Sequence, residues 1–194
     1  MLNASYRHRK GLIMGTIAVH EFVSLDGVFE DPAWTFDFGF DPRMGETLAA
    51  ITGASTGILL GRTTYEMFAP AWATRPAEDD PGAPFFNDTR KYVVGAGTPT
   101  VEWGPSTLLG AYDADAIRTL KDGTDGVLYV SGSGTLVRGL LADGLVDELH
   151  LFVYPIALGA GRRLWDDGGA VARLALVGHD VYDNGVVHLA YGPA

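Results

Sequence analysis

Two short stretches of this 194-residue chain carry the residue types that grip phosphate. In the first, Gly57-Ile58-Leu59-Leu60 runs into Gly61-Arg62-Thr63-Thr64-Tyr65-Glu66. In the second, the apolar run 127–130 leads into Ser131-Gly132-Ser133-Gly134-Thr135-Leu136. An apolar strand, a small-residue turn and a helix start together let backbone approach a ligand closely. They also turn free N–H groups and a positive dipole end toward an anion. Arg62 adds a planar fork matched to phosphate oxygens, and Thr63 and Thr64 add hydroxyls. Two such units suggest a dinucleotide held from two sides. Each has a plainer alternative. Thr63 as N-cap with Glu66 three residues later forms a capping box that needs no ligand, and the second turn is equally a tight connection. The second stretch reads Gly-x-Gly-x-x-Val, lacks an acidic residue about twenty positions on, and falls late in the chain, which excludes a Rossmann fingerprint; no Gly-Lys-Ser/Thr offers a Walker loop.

The elements that must position these turns follow from periodicity and punctuation. A strand is expected over 16–23, after which Ser24-Leu25-Asp26-Gly27 turns into an aromatic loop holding Phe29, Trp34, Phe36, Phe38 and Phe40. Asp41-Pro42 is an N-cap and first-turn pair for a helix to about residue 52. Strand 57–60, helix 63–70 and a proline-rich surface loop over 71–88 come next. Strands 91–94 and 100–103, helix 113–121, the 127–142 strand–turn–helix unit and strand 146–154 follow. Runs 172–182 and 186–192 are joined by Asp183-Asn184-Gly185, a strong hairpin signal. Alternating strands and helices predict an α/β fold: a mixed, mainly parallel central sheet, helices on both faces, and an antiparallel C-terminal hairpin. One domain over 14–194 is expected, with 1–13 a disordered upstream extension.

Composition narrows the partners. A formal charge of −10 argues against nucleic acid, which needs a basic face to displace counterions, and against an anionic membrane. Cysteine is absent, so disulfides, thiolate metal sites and cysteine nucleophiles are excluded, and a cytoplasmic setting is expected. No His spacing suggests a metal.

Taken in order, Ile17-Ala-Val-His-Glu-Phe-Val-Ser24-Leu25-Asp26-Gly27, Leu60-Gly61-Arg62-Thr63-Thr64-Tyr65-Glu66, Lys91-Tyr-Val-Val94, Tyr129-Val-Ser131-Gly132-Ser133-Gly134-Thr-Leu136, Val146-Asp147-Glu148-Leu149-His150-Leu151 and Pro155-Ile-Ala-Leu158-Gly159-Ala-Gly161-Arg-Arg-Leu164-Trp165 form one series. The series resembles the dihydrofolate reductase-like superfamily. Within it, the match is nearer to the reductase domain of the bifunctional riboflavin-biosynthesis deaminase-reductase and its stand-alone relatives. The resemblance implies NADPH held across the carboxyl ends of the strands. Ser24, Asp26 and Gly27 would lie beside the nicotinamide, and Gly61, Arg62 and Thr63 at phosphate and adenosine ribose. Ser131, Gly132, Ser133, Gly134, Thr135 and Leu136 would cradle the pyrophosphate, with Ser133 donating to phosphate where relatives carry a second glycine. Gly95-Ala96-Gly97 stands where folate enzymes carry a serine or threonine near the 2′-phosphate, which leaves NADH open as the alternative; Arg90 and Lys91 offer positive charge nearby or a solvated pair. Relatives are often dimeric, and strand 146–154 with the hairpin is the expected homodimer surface.

Hydride transfer to a C=N or C=O carbon leaves a basic nitrogen or oxygen that must take a proton. Folate enzymes supply it from a carboxylate on the first helix, whose counterpart here is Gly45, with Glu46 beside it. Asp26 and Glu46 are therefore the candidates for proton handling, against a turn role for Asp26 and a solvated role for Glu46. Trp34 is the candidate to stack on a small heterocyclic substrate, and Arg162 or Arg163 to meet a substrate phosphate. The expected activity is reduction of a pyrimidine-like, pterin-like or carbonyl-type substrate. A non-catalytic nucleotide- or aromatic-ligand-binding module is the alternative.

Overall fold

A computed structural model of the chain describes residues 15–165, 167–169 and 171–194; the expected extension over 1–13 lies outside the described residues. The chain order is β1 (Thr16–Ser24), a 3-10 helix (Pro32–Phe38), α1 (Pro42–Gly53), β2 (Ser55–Gly61), α2 (Arg62–Trp72), α3 (Ala83–Asp88), β3 (Lys91–Val94), β4 (Ser106–Gly110), α4 (Ala114–Asp122), β5 (Val127–Ser131), α5 (Gly134–Ala142), β6 (Glu148–Tyr154), β7 (Leu174–Val181) and β8 (Val187–Pro193). One eight-stranded sheet has the order β4-β3-β2-β5-β1-β6-β8-β7. All pairings are parallel except β6 with β8 and β8 with β7. The hairpin closes on Gly185, whose φ of 84° only glycine adopts without strain.

Strand alternation divides the interior into two cores. On one face Ile17, Val19, Leu128, Val130 and Leu149 pack against Ile117 of α4 and Val137 and Leu140 of α5. On the other, Ile58, Leu60, Tyr129, Phe152 and Tyr154 pack against Met44 and Ile51 of α1, Tyr65 of α2 and Phe86 of α3. Each such side chain contributes roughly 1.5–3 kcal/mol of apolar burial. The antiparallel part of the sheet leaves its α5-side face partly open. Leu151, Val153, Val187, Leu189 and Tyr191 are half-buried there, and Leu176 and Val181 of β7 are exposed. Among the described residues no helix is long and apolar enough to cross a membrane.

Three expectations are corrected. The loop over 71–88 contains α3, because Phe86 stacks on Trp72 with ring centres 4.1 Å apart and draws that segment into the core. The strand expected over 100–103 does not form. Trp103 is captured by tertiary bonds instead, its N–H donating to Tyr65 Oη (2.7 Å) and its Nε1 to Asn87 Oδ1 (2.8 Å). The edge strand is β4, mostly exposed and so without an apolar signature. Lys91 is not a solvated partner of Arg90. It is fully buried, donates from Nζ to Asn87 O (2.7 Å) at the end of α3, and lies 4.4 Å over the Trp103 ring. Burial pulls its pKa down to about 8, against Asp88. Arg90 donates to Thr107. Both stand at the start of β3, the end of the sheet away from the glycine turns.

Candidate functional site

The strands β2 and β5 are neighbours, yet the chain leaves β2 toward β3 and leaves β5 toward β6. Such a divergence opens a crevice at the carboxyl ends of the strands. Two helix starts meet there. The Gly61 N–H donates to Ser133 Oγ (2.9 Å), and the Ser133 hydroxyl donates to Thr64 Oγ1 (2.8 Å). The approach is close enough to need small residues. A Cβ at Gly61 would lie 3.2 Å from Ser133 Oγ, and one at Gly132 would lie 2.9 Å from Thr64 Cγ2. Gly132 and Ser133 both take positive φ, 62° and 61°, which turns the chain directly into α5. Neither α2, which starts after Gly61, nor α5, which starts after Ser133, receives a side-chain cap. First-turn N–H groups of both helices are thereby left for a ligand or water.

Two readings change in consequence. The Thr63–Glu66 capping box is not formed: Gly61 is the N-cap, and Glu66 Oε1 instead accepts from Thr100 N (2.9 Å) and Oγ1 (3.1 Å). The Ser133 hydroxyl is turned inward, and what it offers is a stitch between the two turns. Thr63 and Thr135 are exposed at the starts of their helices, whereas Leu136 is buried in the core, so only its backbone faces the turn. Arg62 lies along bare backbone. A Cβ at Gly95 would come within 2.7 Å of Arg62 Cβ, and one at Gly97 within 3.8 Å of Nη1.

At the end of β1, Ser24, Asp26 and Gly27 form a stapled turn. Ser24 Oγ donates to Asp26 Oδ1 (2.6 Å) and accepts from Val28 N (2.9 Å), and Gly27 has a φ of 80°. Asp26 also accepts from Leu158 N (3.0 Å) and Gly159 N (2.8 Å), tying this loop to the one after β6. The Ser24 hydroxyl first, then those two N–H groups, hold its pKa down to about 2. A carboxylate so held stays ionised at neutral pH, which suits an anchor better than a proton donor. The two arginines are engaged with the same loop: Arg162 pairs with Glu30 (3.2 Å) and Arg163 Nε donates to Asp26 O (2.9 Å).

Glu46 faces solvent on α1. Its neighbour Gly45 lies under the tip of the exposed Phe40 ring: a Cβ there would meet that ring at 2.8 Å, so the ring would have to swing aside. Trp34 is half-buried on the opposite face from α5, its ring edge-on to Tyr154 at 5.4 Å. Neither residue touches the paired turns.

A further group went unnoticed in the sequence. Glu21, 3% exposed, rises from the middle of β1 on the α5 face, and Gly132 N donates to its Oε2 (3.2 Å). Burial drives its pKa well above the ordinary carboxyl value, and the Gly132 N–H only partly opposes this. The available signal was a His-Glu pair interrupting an apolar central strand. His20 points to the other face, where its Nδ1 meets Tyr129 Oη (2.8 Å), and His150 Nδ1 lies 3.0 Å from His188 Nε2.

Known proteins place this geometry in context. The family model of the RibD C-terminal domain matches residues 15–188. The uncharacterized protein YyaP of Bacillus subtilis strain 168 is 25% identical over 175 residues, covering 87% of this chain and 90% of the relative. A putative riboflavin biosynthesis protein from Shewanella sp. PV-4 superposes with a TM-score of 0.71 at 21% identity, covering 93% and 99% of the two chains. Dihydrofolate reductase from Enterococcus faecalis, solved with NADP(H), superposes with a TM-score of 0.60 at 13% identity, covering 93% and 97%. The fold is dihydrofolate reductase-like.

Proposed function

The chain belongs to the RibD C-terminal domain family, and from that premise we propose that it is an NADPH-dependent reductase of a small heterocyclic or carbonyl-type substrate. The observation that carries the reading is the pair of helix starts without side-chain caps, stitched by Ser133 to Gly61 and Thr64. The residues fit a dinucleotide. Backbone of Ser133, Gly134, Thr135 and Leu136 would hold the pyrophosphate. Thr63 and the Arg62 fork would hold the adenosine ribose phosphate over the bare Gly95–Gly97 backbone. NADPH, when bound, supplies the hydride.

The chain's own residues then position and shield. Ser24, Asp26 and Gly27 set the shape of the loop beside the transfer point. The aromatic side of the sheet, with Trp34 at its rim, would receive the flat substrate. Asp26 serves as the loop anchor, so the proton for the reduced nitrogen or oxygen comes from solvent or from the substrate site. That feature, with glycine rather than a carboxylate at position 45, favours one second reading, a binding module that holds nucleotide without turnover.

Titration of the protein with NADPH and with NADH, followed by nicotinamide fluorescence, tests the reading. Micromolar binding that prefers NADPH and weakens by about 1–3 kcal/mol in Arg62→Ala supports it; no binding of either nucleotide sinks it. NADPH oxidation with pyrimidine or pterin substrates separates the reductase from the module. We further infer a cytoplasmic homodimer formed through the open apolar face of β6, β8 and β7. A monomer mass by light scattering at micromolar concentration overturns the dimer.

A further inference from the structure

We propose that Glu21 is a positioning residue of the nucleotide site: its carboxyl takes the Gly132 N–H and so fixes the 131–134 turn, and that turn accepts phosphate only while the carboxyl beneath it carries no charge. The inference rests on the nucleotide reading of the paired turns.

Glu21 is placed for this by strand geometry. His20 pairs in register with Ser131, so the next residue of β1 lies beneath the turn that follows β5. Alternation puts Glu21 on the α5 face between Val19 and Val23, with apolar Leu151 its register partner on β6. One carboxyl oxygen takes the Gly132 N–H; the other, Oε1, is buried without a hydrogen-bond partner among the described residues. A buried carboxylate with one neutral donor is poorly compensated, whereas a carboxylic acid in the same place is not.

The surrounding groups do not supply the missing charge. Arg138 of α5 donates to the Arg163 and Leu164 carbonyls and to Thr135 Oγ1. Tyr129 of β5 is held in its neutral form chiefly by burial. His20 and His150 lie on the opposite face of the sheet, and Asp26 and Glu30 of the following loop are engaged with Ser24 and Arg162. Burial keeps Glu21 protonated well above the usual carboxyl range. Once ionised, it sets a negative charge directly behind the turn, across dry protein from any phosphate seated there.

The experiment is NADPH titration by nicotinamide fluorescence from about pH 7 to about pH 10, with wild type and Glu21→Gln. Glutamine keeps an oxygen for the Gly132 N–H and cannot ionise. The wild-type Kd is expected to rise by up to about tenfold per pH unit above the Glu21 pKa, while the variant matches it at about pH 7 and stays flat within about twofold. Parallel curves, or a variant already weak at neutral pH, overturn the proposal and leave the nucleotide reading intact. Absence of NADPH binding in both proteins at every pH removes that reading and the proposal with it. Should Glu21→Gln fail to fold, the carboxyl carbon of wild-type Glu21 can be followed by NMR. A protonated signal at neutral pH that titrates with the loss of binding supports the proposal, and an ionised one overturns it.

Discussion

Helices α1 and α4 begin on aspartates, and α2 and α5 do not. Asp41 accepts from Arg43 N, and Asp113 accepts from Asp115 N and Ala116 N, so those starts are closed by their own sequence. The starts after Gly61 and Ser133 have no such closure, and they are the two that Ser133 binds side by side. The contrast separates helix starts closed by their own sequence from a stitched pair whose first-turn donors no capping side chain takes. The carboxyl chemistry differs between them too. The Asp183 N–H chiefly lowers the pKa of Asp41 at the start of α1, whereas burial pushes that of Glu21 under the start of α5 well up.

The severest way to break the open pair is Gly132→Val. A β-branched residue at a φ of 62°, with Thr64 Cγ2 only 2.9 Å from its Cβ, should cost about 2–4 kcal/mol in denaturant unfolding. Nucleotide binding should go with it. Wild-type stability in that variant would mean the turn is plastic and the contrast overdrawn.

Acid should act first on the α1 side of the sheet. Burial, reinforced by neighbouring histidines, lowers the pKa of His20 to about 3 and of His188 to about 4. Between about pH 6.5 and these values the unfolded chain takes up protons that the folded chain refuses, so stability falls as pH drops. For His20 the loss between pH 7 and pH 4 is roughly 3 kcal/mol. Asp41 acts in the same direction lower still: its contribution is present above the ordinary carboxyl range and lost as pH falls through its depressed pKa. Glu21 acts oppositely, its neutral form favoured until rising pH ionises it. His20→Gln keeps an acceptor for Tyr129 and should flatten the acid limb of a pH series of melting curves; an unchanged limb would reject the assignment.

The mildest change should be Asp113→Ala. Loss of the α4 cap is expected to cost about 1 kcal/mol, with nucleotide affinity unmoved. A fall in affinity there would show that the closed and open starts are coupled.

The order of elements was legible in the sequence, since β1, β3, α4, the hairpin and the two turns follow from periodicity and punctuation that act locally. The Asp41 cap was legible for the same reason. What escaped depends on contacts between distant segments. Glu66 is three residues from Thr63, but its partner is Thr100; Ser133 looks like a phosphate donor until Thr64 comes within reach across 69 residues. Lys91 is likewise explained only by Asn87 and Trp103.

By itself the sequence determined the alternating α/β order, the small-residue turns and the net negative charge, because chain stereochemistry and composition need no third dimension. Tertiary structure decided which helix starts stay open, where Ser133 and Asp26 spend their hydrogen bonds, and that Glu21 lies under Gly132. Burial and hydrogen-bond competition belong to residues brought together from far along the chain, and it is these that set whether a hydroxyl or a carboxyl is free to act.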